Sequence, residues 1–368
     1  MMARVATVEQ AFPVRSDHVL QKGCETVLEP RFLVPANQKG KFCFAAKCIY
    51  LCIRLETFTL PVQGGTMTLA DNILKLKSEK SALILAHNYQ RPEIQDIADY
   101  VGDSIELSRR AMEEKDARII VFSAVDFMAE SAAILNPKKK VLLPVLGARC
   151  PMAQMLTVEE IKRSKSQHPR TPVVLYVNTL ASAKAECDIC CTSANAVEVV
   201  SSVDADTVLL GPDRNLAEYV QRKTGKTVIP IPEWGFCPTH LLFQPEDVQI
   251  LKAQHTEAAV MVHPECTFEM KKVGDFVGST SQMCRYAKES KAKTFIVGTE
   301  EGVLHRLRKD NPEKKFFLAY DGAVCPNMKL NTLERIYASL KEEKHVVTVP
   351  EPIAKHARKA LQRMFELK

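Results

Sequence analysis

The sequence predicts an α/β protein made of three homologous small parallel-sheet α/β/α domains around a pseudo-threefold axis. Three observations predict it. From residue 82 onward, short apolar runs alternate with helix-length mixed segments, which is the signature of βαβ units and parallel sheets. A cysteine followed by proline recurs at Cys150-Pro151, Cys237-Pro238 and Cys325-Pro326, at intervals of 87 and 88 residues. Each cysteine also lies 27, 26 or 27 residues after the end of an apolar run, at Ser123, Gly211 and Gly298 respectively. Self-similarity of this kind marks repeated structural units.

The elements follow in order. Residues 1–66 show no clear period, contain Pro13, Pro30, Pro35 and Pro61, and hold Cys24, Cys43, Cys48 and Cys52. We expect this stretch to be disordered or to be an over-called start, with translation beginning naturally at Met67. The grouped cysteines are read as incidental thiols, and acidic residues argue against a transit peptide. Residues 69–80 have a helical pattern. Strands are expected at 82–86, 118–123, 141–146, 173–177, 207–211, 227–231, 258–262, 294–298, 316–320 and 345–349. The strands ending near His87, Val177 and His263 are followed about sixteen residues later by Gly102-Asp-Ser104, Cys191-Thr-Ser193 and Gly278-Ser-Thr280, each expected to begin a helix. The units are placed at 67–170, packed with the C-terminal segment 346–368, then at 171–256 and 257–345.

Composition narrows the function. The chain has 368 residues, 46% apolar and 26% charged, with a net charge of +6, values of a soluble globular protein. No run of five basic residues marks a nucleic-acid arm, so small anionic ligands fit the mild positive charge better. No apolar stretch reaches membrane-spanning length; the nearest, 42–55, is interrupted by Lys47 and Arg54. The twelve cysteines are not spaced as a secreted disulfide framework, and a reducing cytoplasm is expected.

Ligand sites in parallel sheets lie at the carboxyl ends of the strands, so corresponding loops of three units meet at one centre. Cys150, Cys237 and Cys325 then supply three thiolates with no fourth equivalent. A structural zinc site closes with four ligands, whereas three soft ligands and one open position suit an iron–sulfur cubane or an open metal site. The competing reading is three buried, inert cysteines. Cys187, Cys190 and Cys191 include a Cys-x-x-Cys that invites a redox or zinc reading but have no cysteine in the other repeats, and are read as packing residues or reactive bystanders. Ser104, Ser193 and Thr280 offer hydroxyls and free N–H groups for an anion, or are ordinary caps. His87 with Tyr89, Tyr176 with Asn178, His263 with Glu265, and His240 three residues after Cys237 add acid–base capacity.

The run His87-Asn-Tyr-Gln, Gly102-Asp-Ser, Tyr176-Val-Asn-Thr, Cys191-Thr-Ser, Gly235-Phe-Cys-Pro-Thr-His240, His263-Pro-Glu265, Gly278-Ser-Thr-Ser and Cys325-Pro-Asn-Met-Lys resembles the quinolinate synthase family over about residues 67–368. The resemblance implies one [4Fe–4S] cluster per chain on Cys150, Cys237 and Cys325 with one open iron. It implies condensation of iminoaspartate with dihydroxyacetone phosphate to quinolinate, phosphate and water in de novo NAD biosynthesis, with the cluster as a Lewis acid. L-aspartate oxidase or dehydrogenase would supply the iminoaspartate; no nucleic acid or membrane partner is implied. The same resemblance assigns His87, Ser104, Tyr176, Asn178, Ser193, His263, Glu265 and Thr280 to substrate binding, and Glu265, Tyr89 and His240 to catalysis. Around Cys150 the chain reads Arg149-Cys-Pro-Met-Ala, departing from the family pattern, where a small residue and then serine follow the cysteine. Another cluster-dependent hydro-lyase and an iron–sulfur sensor are the alternatives. The first needs no phosphate site, and the second needs an interaction element that the sequence does not display.

Overall fold

A computed structural model describes residues 67–366; the expectations for residues 1–66 lie outside them. The first unit runs α1 (Leu69–Glu79), β1 (Ala82–His87), α2 (Pro92–Ile97), β2 (Tyr100–Gly102), α3 (Ser104–Glu113), β3 (Ile119–Ser123), α4 (Asp126–Leu135), β4 (Lys140–Leu142) and α5 (Pro151–Gln154). The second runs α6 (Val158–Gln167), β5 (Val173–Tyr176), α7 (Ala181–Lys184), β6 (Ile189–Cys191), α8 (Ala196–Ser202), β7 (Thr207–Gly211), α9 (Arg214–Thr224) and β8 (Thr227–Pro230). The third runs α10 (Pro245–Gln254), β9 (Ala259–Val262), α11 (Phe268–Lys272), β10 (Phe276–Val277), α12 (Thr280–Glu289), β11 (Thr294–Gly298), α13 (Val303–Asp310) and β12 (Lys315–Leu318). Helices α14 (Leu333–Glu342) and α15 (Glu351–Glu366) complete the chain.

Each unit contains a four-stranded, wholly parallel sheet, in the orders β2-β1-β3-β4, β6-β5-β7-β8 and β10-β9-β11-β12. The central strands are buried on both faces, as the continuous apolar runs of β3 and β7 require. One hydrogen bond shows how closely the units repeat. Asp99, Asp188 and Asp275 each precede a short second strand and accept from the backbone N–H of Ile84, Val173 and Val260, at 2.8 Å in all three cases.

Several expectations change. The short strands β2, β6 and β10 were not anticipated, since two or three residues cannot display a period of two. Residues 345–349 form no strand. Only Val346 bridges Leu142, antiparallel, beside His345 at a positive φ of 62°. The strand expected at 141–146 is confined to Lys140–Leu142, ahead of Pro144. Ser104 and Thr280 are the first residues of α3 and α12, whose caps are Asp103 and Ser279. Ser193 starts no helix. Asn195 Oδ1 accepts from Thr192 N–H at 2.7 Å and Thr192 Oγ1 at 3.0 Å, and this side-chain turn delays α8 to Ala196.

The inner faces of the first two sheets share one apolar core, closed by Ala354, Ala357, Leu361 and Met364 of α15. Their three- and four-residue spacing makes one helical stripe. The C-terminal helix rests on both units, donating from Arg358 Nε to Ile134 O at 2.8 Å and from Arg363 to Asp188 O at 2.7 Å. Ile336 and Leu340 of α14 pack with Ile73, Ile84 and Val121 of the first unit.

Candidate metal and substrate centre

The carboxyl ends of the three sheets face a single cavity. Its walls come in triplets, one residue from each unit. His87, Tyr176 and His263 stand at or just beyond the ends of β1, β5 and β9, and Tyr89, Asn178 and Glu265 follow two positions later. Ser104, Ser193 and Thr280 form a third set, and Cys150, Cys237 and Cys325 a fourth. All twelve line the cavity, together with His240. The structure therefore brings together every residue that the sequence singled out for the site, including Ser193, which reaches it from a loop.

Two equivalent turns set the strand-end side chains. Tyr89 N–H donates to His87 Nδ1 at 3.1 Å, and Glu265 N–H donates to His263 Nδ1 at 3.3 Å. Burial lowers both histidines to about 3, so the rings are neutral at physiological pH. With Nδ1 accepting, each neutral ring carries its proton on Nε2. Burial raises the Tyr89 and Tyr176 phenols well above their ordinary range, with the Glu265 charge adding to the effect. Both stay protonated.

Glu265 is the electrostatic pivot. Burial pushes its carboxyl up, but His240 beside it and the hydrogen bonds from His240 and Tyr176 outweigh it and hold the group well below the usual carboxylate range. Tyr176 OH donates to Oε1 at 2.6 Å, and His240 Nδ1 lies 2.8 Å from Oε2. Beyond it, His240 Nε2 is 2.9 Å from Thr299 Oγ1, which shares a 2.7 Å bond with Tyr89 OH. A continuous polar chain thus joins Tyr89, Thr299, His240, Glu265 and Tyr176 across all three units.

The sequence reading missed Thr299 and Asn88. Asn88 is fully buried. Its Nδ2 donates to Thr280 Oγ1 at 2.8 Å, and Arg306 donates to its Oδ1 at 3.0 Å. It therefore holds a third-unit hydroxyl from the first unit. The caps of α3 and α12 are stitched in the same way, Ser279 Oγ donating to Asp103 Oδ2 at 2.9 Å. Gly302 fits the β1 turn closely, since a Cβ there would stand 2.7 Å from Tyr89 Cα.

The three cysteines are free thiols. Burial pushes all three up, and Cys237 is raised further by Glu265, Cys150 and Cys325. Ionising such a trio requires positive charge among them, which a bound metal centre provides. Three soft donors around one cavity fit a thiolate-bound iron–sulfur group. Cys237, His240 and Glu265 also bring metal-competent atoms within 4.8 Å of one another. However, both His240 nitrogens already have partners in the polar chain, and His240 Nδ1 is 3.0 Å from Cys237 Sγ. The Met152 departure leaves Cys150 in place: Met152 is buried and lines the cavity beside it. Cys187 and Cys190, whose sulfurs are 3.8 Å apart, are not among the cavity residues.

Among the described residues, neither lysine nor arginine lines the cavity. Its polar surface is made of hydroxyls, imidazoles, an amide, the carboxyls of Asp103, Glu265 and Glu300, and the starts of α3 and α12. Asn178 Oδ1 is buried there without a partner. Such a cavity can bind a small anionic molecule through directed neutral donors and offers it two phenols and three carboxyls, of which burial raises Asp103 and Glu300 while Glu265 is held low.

The sequence pattern of the family described as Quinolinate synthetase A protein matches residues 71–366. The quinolinate synthase of Alkaliphilus metalliredigens is 52% identical over 298 residues, covering 81% of this chain and 98% of the relative. That of Pyrococcus horikoshii is 52% identical over 301 residues, covering 82% and 99%. That of Thermotoga maritima is 49% identical over 299 residues, covering 81% and 99%. With nearly the whole of each relative matched and the three repeats closing on one cysteine-lined cavity, the chain belongs to the quinolinate synthetase A family of enzymes.

Proposed function

We propose that this enzyme condenses iminoaspartate with dihydroxyacetone phosphate to quinolinate, phosphate and water, with a [4Fe–4S] cluster held by Cys150, Cys237 and Cys325. The observation that carries this reading is the single cavity on which the three thiols, the triplets of neutral donors and the Glu265 carboxylate converge. The alternative hydro-lyase has no use for a phosphate-bearing substrate, and a sensor has no use for a carboxylate and phenols converging on a cysteine-lined cavity.

In this reading His87, Tyr176, Asn178 and His263 orient the two carboxylates of iminoaspartate, aided by the hydroxyls of Ser104, Ser193 and Thr280. Neutral donors suit the task because they bind an anion without adding a fixed cation to a site that must also accept positive metal charge. The cluster, when bound, supplies one iron with no protein ligand, a Lewis acid for a substrate oxygen or nitrogen.

Proton movement falls to this chain's own groups. Glu265, kept ionised, accepts the proton released from substrate at Oε2. Tyr89, kept protonated, donates at its phenol to a departing hydroxyl. His240 and Thr299 connect the two, so that the proton taken at one end restores the donor at the other. The reaction belongs to de novo NAD biosynthesis, with L-aspartate oxidase or dehydrogenase as the source of iminoaspartate.

The test is anaerobic purification, assay of iron and sulfide, and incubation with iminoaspartate and dihydroxyacetone phosphate. Equal yields of quinolinate and inorganic phosphate are expected. Iron-loaded protein that forms no quinolinate would overturn the substrate assignment, and activity in iron-free protein would overturn the cofactor.

A further inference from the structure

Outside the residues assigned above, the chain places one carboxylate against each cysteine. Cys150 N–H donates to Asp126 Oδ1 at 3.0 Å, Cys237 N–H to Asp213 Oδ2 at 3.1 Å, and Cys325 N–H to Glu300 Oε1 at 3.1 Å. The three acids are equivalent in the repeat, spaced 87 and 87 residues apart. Where the acid changes from aspartate to the longer glutamate, its distance to the cysteine grows from 24 residues to 25.

We infer that Asp126, Asp213 and Glu300 are positioning residues that hold the three cysteine loops in the shape that takes up the iron–sulfur group. The inference rests on the cofactor reading above. Each carboxylate spans two segments. Asp213 Oδ1 caps α9 through Leu216 N–H at 2.7 Å, while Oδ2 takes the cysteine amide. Glu300 Oε2 takes Gly302 N–H at 2.7 Å, while Oε1 takes the cysteine amide and Lys329 Nζ at 2.9 Å. Asp126 Oδ1 takes both Phe127 N–H at 2.9 Å and the cysteine amide, while Oδ2 takes Gln154 Nε2 at 3.0 Å. A helix cap alone does not need the bond to the cysteine. That bond fixes the backbone from which each sulfur projects, and groups that orient a ligand this way commonly change metal retention by about 10- to 100-fold when removed.

A second tie keeps the loops folded without the carboxylate. The carbonyl two residues before each cysteine accepts a backbone N–H: Asp126 to Ala148 at 2.8 Å, Arg214 to Gly235 at 2.9 Å, and Glu301 to Ala323 at 3.1 Å. Replacing the acid should therefore loosen the thiols rather than unfold the loop.

The test uses iron-loaded full chain purified anaerobically, and follows the visible absorption and the rate of iron transfer to a chelator. Asp213→Ser keeps a cap for α9 and loses the cysteine bond. Asp126→Ser repeats the change at a partly exposed carboxylate, where the folding risk is smallest. Thr332→Ala removes the cap of α14, whose hydroxyl accepts from Arg335 N–H at 3.4 Å, without touching a cysteine. Both serine variants should release iron about tenfold faster than wild type, with an altered visible spectrum, while Thr332→Ala releases it at the wild-type rate. Unchanged release and spectrum in both serine variants would overturn the inference alone, as would equal acceleration in Thr332→Ala. A wild-type protein without iron would overturn the cofactor reading, and this inference with it.

Discussion

The turns after β1 and β9 share a backbone and differ in chemistry. Each begins with a buried, neutral histidine whose Nδ1 accepts the N–H two residues on, at 3.1 Å in the first unit and 3.3 Å in the third. At that second residue the first unit carries Tyr89 and the third carries Glu265. Burial keeps the phenol protonated, whereas His240 and Tyr176 keep the carboxyl ionised against its burial. Repetition therefore supplies the geometry of the cavity, and divergence at one equivalent position supplies an acid and a base facing each other through Thr299 and His240.

The largest break in this comparison is Glu265→Gln. It keeps the size and loses the charge, and we expect turnover to fall by about a thousandfold with iron content unchanged; kcat near wild type would remove Glu265 from its role as base. Tyr89→Phe removes the opposing acid. A loss of about a hundredfold is expected, with KM for iminoaspartate nearly unchanged, and a loss confined to KM would make the tyrosine a binding group only.

The smallest effect concerns what the two turns share. His87 and His263 have folded pKa values lowered to about 3 from 6.5. Their contribution to stability is present above about pH 6.5 and is lost as the pH falls toward 3, by at most about 1.4 kcal/mol per pH unit for each histidine. Thermal midpoints measured from pH 8 to 4 should be level at the top and decline below 6.5. His87→Asn and His263→Asn should each reduce that decline by a similar amount. A steeper decline in either variant would show that the two turns do not share their electrostatics.

Much of this was legible in the sequence because burial on both sheet faces forces continuous apolar runs, and because the Cys-Pro spacing survives in all three units. The turns at His87 and His263 were legible as polar residues at strand ends. The helix expected at Ser193 was not formed, since the hydroxyl of Thr192 and the amide of Asn195 satisfy each other first. Thr299 gave no signal: its counterparts in the repeat carry no hydroxyl, and only the folded chain shows it between Tyr89 and His240. Asp126, Asp213 and Glu300 do keep the repeat spacing, but an acidic residue after a strand is ordinarily a helix cap. Their second contact is visible only in three dimensions.

The central claim is that three repeats hold one group with one cysteine each. Iron and acid-labile sulfide, measured in anaerobically purified wild type and in Cys150→Ala, Cys237→Ala and Cys325→Ala, test it most directly. The account predicts about four irons and four sulfides per wild-type chain, and loss of the brown absorption and of quinolinate formation in each variant. A variant that keeps the full complement of iron and its activity would contradict it.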